Sequence, residues 1–223
     1  MHSLMTRLCM VVVTVAALTV VNCGSKSSTA SGPVLTTYGK DSLAVRNILD
    51  ANGLHSIEVG GALSPLDSVG TRIGELNLQG KNLTVIPQDI GQLASLTALR
   101  LDSNGITSLP PEIGNCTSLK FFSIAKNKLT GLPAEIGKLK SMTNLNVSQN
   151  SMTSLPSSIG GLQKLSSVRL DNNQLASLPD SIMHCPVGVL TVLNNKLCTI
   201  SDALKAWLNV WAESDWAAGQ SCN

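Results

Sequence analysis

The segment that decides the fold is LTALRLDSNGITSLPPEIGNCTS, residues 96–118, because segments with the same pattern lie before and after it. Similar units begin at residues 73, 119, 142, 165 and 187. The first four units are 23 residues long, the fifth is one residue shorter, and the sixth is altered. A period of about 20 to 50 residues predicts a solenoid, in which each unit buries its apolar face against its neighbours.

Each unit combines a strand signal with a turn signal. Leu99 and Leu101 flank a single residue, which is the period-two pattern of a short strand. The ninth position of five units is asparagine: Asn104, Asn127, Asn150, Asn173 and Asn195. We expect these amides to be buried and to bond backbone groups of their own unit and of the next one. A proline marks the outer arc of five units, where no sheet hydrogen bond is needed: Pro87, Pro110, Pro133, Pro156 and Pro179.

The pattern L-x-x-L-x-L-x-x-N-x-L, which recurs over residues 73–197, resembles the leucine-rich repeat family. The second half of the unit, LPxxIGxL, is similar to the repeats of bacterial surface proteins. The resemblance implies an α/β fold: a leucine-rich repeat solenoid, or horseshoe, with short parallel strands on its concave face and a helical cap at each end. It also implies a module that recognises other molecules through that face.

The sheet of such a stack has two open edges, and a helical segment stands at each end of the repeats. We assign residues 40–72 to the amino-terminal cap. Its helix, DSLAVRNILDANGL (41–54), is predicted to start at Asp41 or Ser42 and to stop at Gly53. The apolar positions of this helix are Leu43, Val45, Ile48 and Leu49. The segment after it, HSIEV (55–59), alternates in polarity and is predicted as a preliminary strand.

We assign residues 198–223 to the carboxyl-terminal cap. The segment SDALKAWLNVWAESDW (201–216) is predicted to be helical, with Ser201 and Asp202 as its start signal. One face of the helix carries Leu204, Trp207, Leu208 and Trp211. All three tryptophans of the chain lie in this segment, and we expect them to cover the last repeat.

The cysteines fall into distinct groups. Cys198 and Cys222 bracket the carboxyl-terminal helix, and in an exported protein they are predicted to form a disulfide. The alternative, a zinc pair, lacks nearby further ligands. Cys116 and Cys185 occupy a repeat position that is leucine in other units, so we expect buried thiols.

The amino terminus predicts export. Residues 1–22 have the charge, length and apolar run of a signal peptide, and residues 23–39 are a flexible tether. The sequence VVNC (20–23) resembles a bacterial lipoprotein signal, which implies lipidation of Cys23, although Asn22 stands where that family usually has Gly, Ala or Ser. We therefore expect a lipoprotein of the bacterial cell envelope, at the outer membrane or surface. The alternative is plain secretion.

The composition and the motifs argue against catalysis and against nucleic-acid binding. Only 13% of residues are charged and the net charge is +2, so no broad field attracts nucleic acid. The three histidines have neither metal-ligand nor nucleophile spacing, and no phosphate-binding glycine loop is present. We expect no enzyme activity, no metal and no cofactor.

The candidate binding surface is the exposed side of the predicted strands. Its candidate residues are Glu75, Asn77, Arg100, Asp102, Phe121, Ser123, Asn144, Asn146, Arg169 and Asp171. The sequence RLD occurs twice, and each Arg–Asp pair forms either a local ion pair or a polar rim for a partner. Phe121 either anchors a partner or packs on its neighbours. These residues predict a monomeric module that binds a protein, or alternatively a glycan or cell wall, and that contacts membrane only through a lipid anchor.

Overall fold

The computed structural model describes residues 37–56, 72–212, 216–217 and 219–221. The predicted signal peptide, Cys23, most of the tether, residues 57–59 of the predicted preliminary strand, and Cys222 lie outside these residues. Among the described residues, neither α-helix is long and apolar enough to cross a membrane.

Each repeat contributes one three-residue strand, and the strands form a parallel six-stranded sheet in chain order. The strands are β1 (Glu75–Asn77), β2 (Ala98–Arg100), β3 (Phe121–Ser123), β4 (Asn144–Asn146), β5 (Ser167–Arg169) and β6 (Val189–Thr191). The middle residues pair in register along the whole sheet: Leu76, Leu99, Phe122, Leu145, Val168 and Leu190. These middle side chains are buried, so the first and third residues of every strand lie on the opposite, concave face. The predicted leucine-rich repeat solenoid is confirmed.

The chain returns between strands through a short 3₁₀ helix on the outer side of the repeat. These helices are Gln88–Gln92, Pro111–Asn115, Ala134–Lys138, Ser157–Gly161 and Asp180–His184. Each follows a proline in extended conformation, such as Pro110 with φ −72° and ψ 150°. The proline carbonyl accepts the first hydrogen bond of the turn, as in Ile113 N to Pro110 O at 3.1 Å. Proline fits this position because its own missing N–H is not needed there.

A ladder of asparagines joins consecutive repeats. The Nδ2 group of Asn127 donates to Ile124 O and Ala125 O in its own unit, at 3.2 and 3.1 Å, and to Leu101 O in the preceding unit, at 2.9 Å. Its Oδ1 accepts from Ile106 N, also in the preceding unit, at 3.0 Å. The predicted bonds to the unit's own backbone are confirmed, but the predicted bonds to the next unit are wrong. Each ladder amide bonds the preceding repeat in addition to its own.

The residue before each ladder asparagine takes up a left-handed conformation. Ser103 has φ 57°, and the same sign is found at Lys126, Gln149, Asn172 and Asn194. A positive φ is unfavourable for a residue with a Cβ, so the hydrogen bonds of the following amide must compensate for it at every step.

The ladder ends on a glutamine from the carboxyl-terminal cap. Gln220 Nε2 donates to Val192 O at 3.1 Å, and its Oε1 accepts from Leu197 N at 3.0 Å. Asn195 makes the corresponding bonds one unit earlier, to Leu170 O and from Leu175 N. Gln220 therefore replaces the asparagine of a seventh repeat. A parallel bridge between Leu190 and Ala212 extends the sheet in the same direction.

The amino-terminal helix α1 (Thr37–Asp50) covers the first repeat, but it begins earlier than predicted. Asp41 is therefore not an N-cap, because it lies inside the helix and is fully buried. Its Oδ2 accepts from Arg72 Nε and Ile73 N, both at 2.9 Å, and so it ties the helix to the start of the first repeat. Leu43, predicted on the apolar face, is 47% exposed.

The carboxyl-terminal helix α2 (Asp202–Trp211) starts at the predicted N-cap, where the Ser201 hydroxyl accepts from Leu204 N at 3.2 Å. Leu204 and Leu208 are buried and Trp207 packs against the core. Trp211 is 44% exposed, so its predicted place on the buried face is wrong. Trp216 is buried instead, and its indole N–H donates to Asn209 Oδ1 at 2.8 Å.

A column of glycines lets the outer turns of neighbouring repeats approach closely. A Cβ built on Gly137 would lie 2.4 Å from Ser158 O and 2.8 Å from Ser158 Cβ. Similar distances apply at Gly91, Gly114 and Gly160. In the fifth repeat Met183 occupies the corresponding position and packs against the core, because the layer that follows it is α2 rather than another 3₁₀ turn.

We expect Asn127→Ala to lower the free energy of unfolding by about 3 kcal/mol, because it leaves several buried backbone groups without partners. Urea denaturation measures the loss. Asn115→Ala is the control, since Asn115 is exposed on an outer turn, and it should change stability by less than about 0.5 kcal/mol. Equal effects of the two substitutions would contradict the importance of the ladder.

Gly137→Ala should destabilise the fold by about 1–3 kcal/mol, because the new methyl group overlaps the backbone of the next turn. Gly131→Ala is the matched control: a Cβ there meets nothing within 4 Å, and the residue does not have a positive φ. The control should be neutral or stabilising by up to about 1 kcal/mol. Thermal unfolding of both variants tests this, and a neutral Gly137→Ala would refute the close-contact argument.

Candidate functional site

The concave face, formed by the first and third residues of β1 to β6, carries most of the predicted binding residues. Asn77 and Arg169 are exposed on it, and Glu75, Arg100, Phe121, Asn144 and Asn146 are half-buried. Ser123 is only 3% exposed, so it offers little surface to a partner. Whether these residues bind anything remains a prediction.

Arg100 connects the first three strands of this face. Its Nη1 lies 3.5 Å from Glu75 Oε2 on β1, and its guanidinium carbon lies 4.8 Å from the centre of the Phe121 ring on β3. The predicted local pair with Asp102 is therefore wrong, because Arg100 pairs with Glu75 across the strands. The stacking on an aromatic face orients the arginine in addition to the ion pair.

Asp102 and Asp171 serve as links between repeats rather than as partners of the arginines. Asp102 accepts from the Ser123 hydroxyl and from Ala125 N, the latter at 2.8 Å. Both donors reach the same oxygen of Asp102, Oδ1. Asp171 accepts from the Thr191 hydroxyl through Oδ2 and from Leu193 N through Oδ1. Each carboxylate thus accepts two hydrogen bonds from the following repeat.

A depression on the concave face lies across β3, β4 and β5. Its lining residues are Phe121, Asn144, Leu145, Asn146, Ser167 and Arg169. Its volume is about 190 Å³, whereas pockets for small-molecule substrates usually have about 300 to 1,000 Å³. The depression has room for a single side chain or a similar group.

The depression brings together four of the predicted residues and two that were not among them, Leu145 and Ser167. The packing predicted for Phe121 is confirmed, because its ring lies against Arg100. Phe121 also lines the depression, and its role as an anchor for a partner stays a prediction. Ser167 was not selected as a candidate, although its place in the repeat puts it on the concave face, where it pairs in register with Asn144. Its position in the strand was the available signal, but its size gave no reason to select it.

The two central cysteines are buried thiols, as predicted. Cys116 is fully buried, its Sγ lies 3.2 Å from Ile90 O, and burial raises the pKa of the thiol to about 12. Burial also raises the pKa of Cys185, against a smaller lowering effect of a backbone hydrogen bond at Leu162. Neither thiol forms appreciable thiolate near neutral pH, so neither has the reactivity of a catalytic cysteine.

Metal-binding clusters are absent from the part of the chain that the structure describes: no three His, Cys, Asp or Glu side chains there could hold an ion together. Cys198 is engaged in an interaction and is not a free thiol. Because Cys222 lies outside the described residues, the disulfide between the two stays a prediction.

Comparisons with known proteins agree with this architecture. Residues 111–196 match the family model for a leucine-rich repeat region, and residues 95–116 match the model for a single leucine-rich repeat. No curated protein matches the sequence significantly.

Solved structures with a similar fold come from several sources. A leucine-rich repeat protein of Leptospira interrogans has 32% identity and a TM-score of 0.49, over 62% of this chain and 41% of that one. The plant peptide hormone receptor RGFR1, solved in complex with RGF2, has 31% identity and a TM-score of 0.51, over 57% of this chain and 21% of the receptor. A plant ice-binding protein has 22% identity and a TM-score of 0.54, over 70% of this chain and 64% of that one. This chain spans less than half the length of the first two proteins.

Leucine-rich repeat domains are generally protein-interaction modules without enzymatic activity. Residues 111–196 of this chain match the model for such a region.

Proposed function

We propose that this chain is an exported recognition module that binds a protein partner through its concave face. The observation that carries the proposal is the depression across β3 to β5, where Phe121 and Arg169 stand on a sheet braced by the asparagine ladder. Aromatic and arginine side chains are the residues that most often dominate binding energy at protein interfaces.

The rigidity of the surface favours this role. The strands keep one register from β1 to β6, and Arg100 is held by both Glu75 and Phe121 before any partner arrives. A surface that is already ordered loses little conformational entropy on binding, so more of the contact energy appears as affinity. The similarity to RGFR1, which was solved with RGF2 bound, supports a protein or peptide ligand.

A photo-crosslinking experiment tests which face binds. Benzoylphenylalanine is placed at Val189, on the concave face beside Ser167, and in a second protein at Lys138, on an outer turn. Each protein is irradiated with an envelope extract. We expect a discrete protein adduct from position 189 and none from position 138.

Substitutions then relate the adduct to the proposed residues. Phe121→Ala and Arg169→Ala should each reduce the yield of the protein adduct from position 189 by about tenfold. This corresponds to a loss of roughly 1.4 kcal/mol of binding free energy. Lys138→Ala should leave the yield unchanged. An adduct that forms equally from positions 138 and 189 would remove the concave face from the proposal.

A second candidate function is glycan or cell-wall binding. The observation that favours it is the polar lining of the depression, where Asn144, Asn146 and Ser167 adjoin one aromatic ring. A polysaccharide adduct from position 189, with no protein adduct, would favour this function over protein binding.

The proposal includes export and attachment to the bacterial envelope through lipidated Cys23. The supporting observation is the sequence alone: an apolar leader, Cys23, and a Ser/Gly-rich segment before α1.

Intact-mass analysis of the protein isolated from its own cell tests the attachment. We expect a mature chain that starts at Cys23, with added mass equal to its acyl groups. A Cys23→Ser variant should lack this mass and leave the membrane fraction. An unmodified chain that begins after Cys23 would instead establish plain secretion.

A further inference from the structure

Asn146 lines the depression, and the hydrogen bonds of its side-chain oxygen show which donors remain unused. Its Oδ1 accepts from Ser148 N at 3.1 Å and from the Ser148 hydroxyl at 2.8 Å. Because a backbone N–H can only donate, the oxygen must lie on that side, and Nδ2 must be on the other. Within the described part of the chain, Nδ2 has no hydrogen-bond partner. It therefore offers two donors to a ligand.

Arg169 adds a positive charge beside this amide. It pairs in register with Asn146 on the neighbouring strand, and its side chain is exposed. Among the described residues no carboxylate forms an ion pair with it, in contrast to Arg100, which has Glu75. Asp171, the carboxylate nearest to it along the chain, uses both oxygens for Thr191 and Leu193.

The depression therefore has donors and positive charge in excess of acceptors. The Ser167 hydroxyl adds a further group without a described partner, and Phe121 forms an apolar wall on the opposite side. The complementary group is a planar carboxylate, which an arginine can bind through two parallel hydrogen bonds. A volume of about 190 Å³ admits one such side chain.

We propose that the depression is a subsite for an acidic side chain, aspartate or glutamate, of the protein partner, with an adjacent apolar residue packed on Phe121. This subsite rests on the proposed function and specifies the chemistry of its partner. The carboxylate lies between the Arg169 guanidinium and the Asn146 amide. The charge attracts it, and the amide sets its orientation.

The test uses two peptides that differ only in charge, acetyl-Leu-Glu-Leu-amide and acetyl-Leu-Gln-Leu-amide, titrated into the full folded chain. The side-chain N–H signals of Asn146 and Arg169 are followed by NMR. We expect both signals to shift with the glutamate peptide, with a dissociation constant at least tenfold lower than for the glutamine peptide. Raising the salt concentration should reduce this preference, because it depends on charge.

Asn146→Asp is the sharpest variant, because the new carboxylate still accepts from Ser148 N but turns the donors into acceptors. It should weaken binding of the glutamate peptide by at least about tenfold, as should Arg169→Gln. Asn115→Asp carries the same change of charge on an outer turn and should bind normally. Unchanged thermal unfolding shows that each variant is folded.

The outcomes separate the subsite from the proposed function. If Asn146→Asp and Arg169→Gln bind the glutamate peptide like the wild type, or if both peptides bind equally, the subsite is overturned. The proposed function is tested separately, by whether position 189 gives a protein adduct. If inorganic phosphate or chitotriose produces the same shifts and displaces the glutamate peptide, the carboxylate assignment is also overturned.

Discussion

The asparagine that begins each turn after a strand is the interaction on which the rest of the structure depends. A repeat of this length exposes backbone groups where it leaves the sheet, and a buried amide with two donors and an acceptor satisfies them. Because the amide also bonds the preceding repeat, it sets the spacing and rotation between repeats together with the sheet. The left-handed residue before it is a consequence of that arrangement.

The regular spacing of the candidate binding residues follows from the packing of this core. The middle residue of each strand is buried in the leucine-rich interior, so its two neighbours must stand on the concave face at fixed intervals. Asp102 and Asp171 use the same face to link repeats, and Arg100 spans three strands. In the depression at β3 to β5, Asn146 and Arg169 have side-chain donors without partners among the described residues. The proposed subsite thus uses polar groups that the fold itself does not use.

The sequence was sufficient to predict the strands, the turns and the buried seat of Cys116, because each follows from a pattern repeated several times. It was less informative about anything that depends on which neighbour a side chain meets. Asn127 could have bonded either adjacent repeat, since their sequences are alike, and the direction depends on how the stack twists. Arg100 was expected to pair with Asp102, two residues along the chain, because a single sequence does not show that Glu75, diagonal to Arg100 on β1, comes within reach. The ends were also difficult: the first turn of α1, TYGK, has no apolar periodicity, and Trp211 lies at the last turn of its helix.

The glycine column has a consequence for where this stack of repeats ends. A stack of equivalent units has no inherent last member, because each new unit presents the same surface as the one before. Met183 breaks that equivalence, since it packs against the core at the position where the earlier repeats have a glycine in close contact with the next 3₁₀ turn. Gln220 then occupies the hydrogen-bonding positions that a further asparagine would use. At this end of the stack, the regular pattern is therefore ended by the larger side chain of Met183 and by the hydrogen bonds of Gln220.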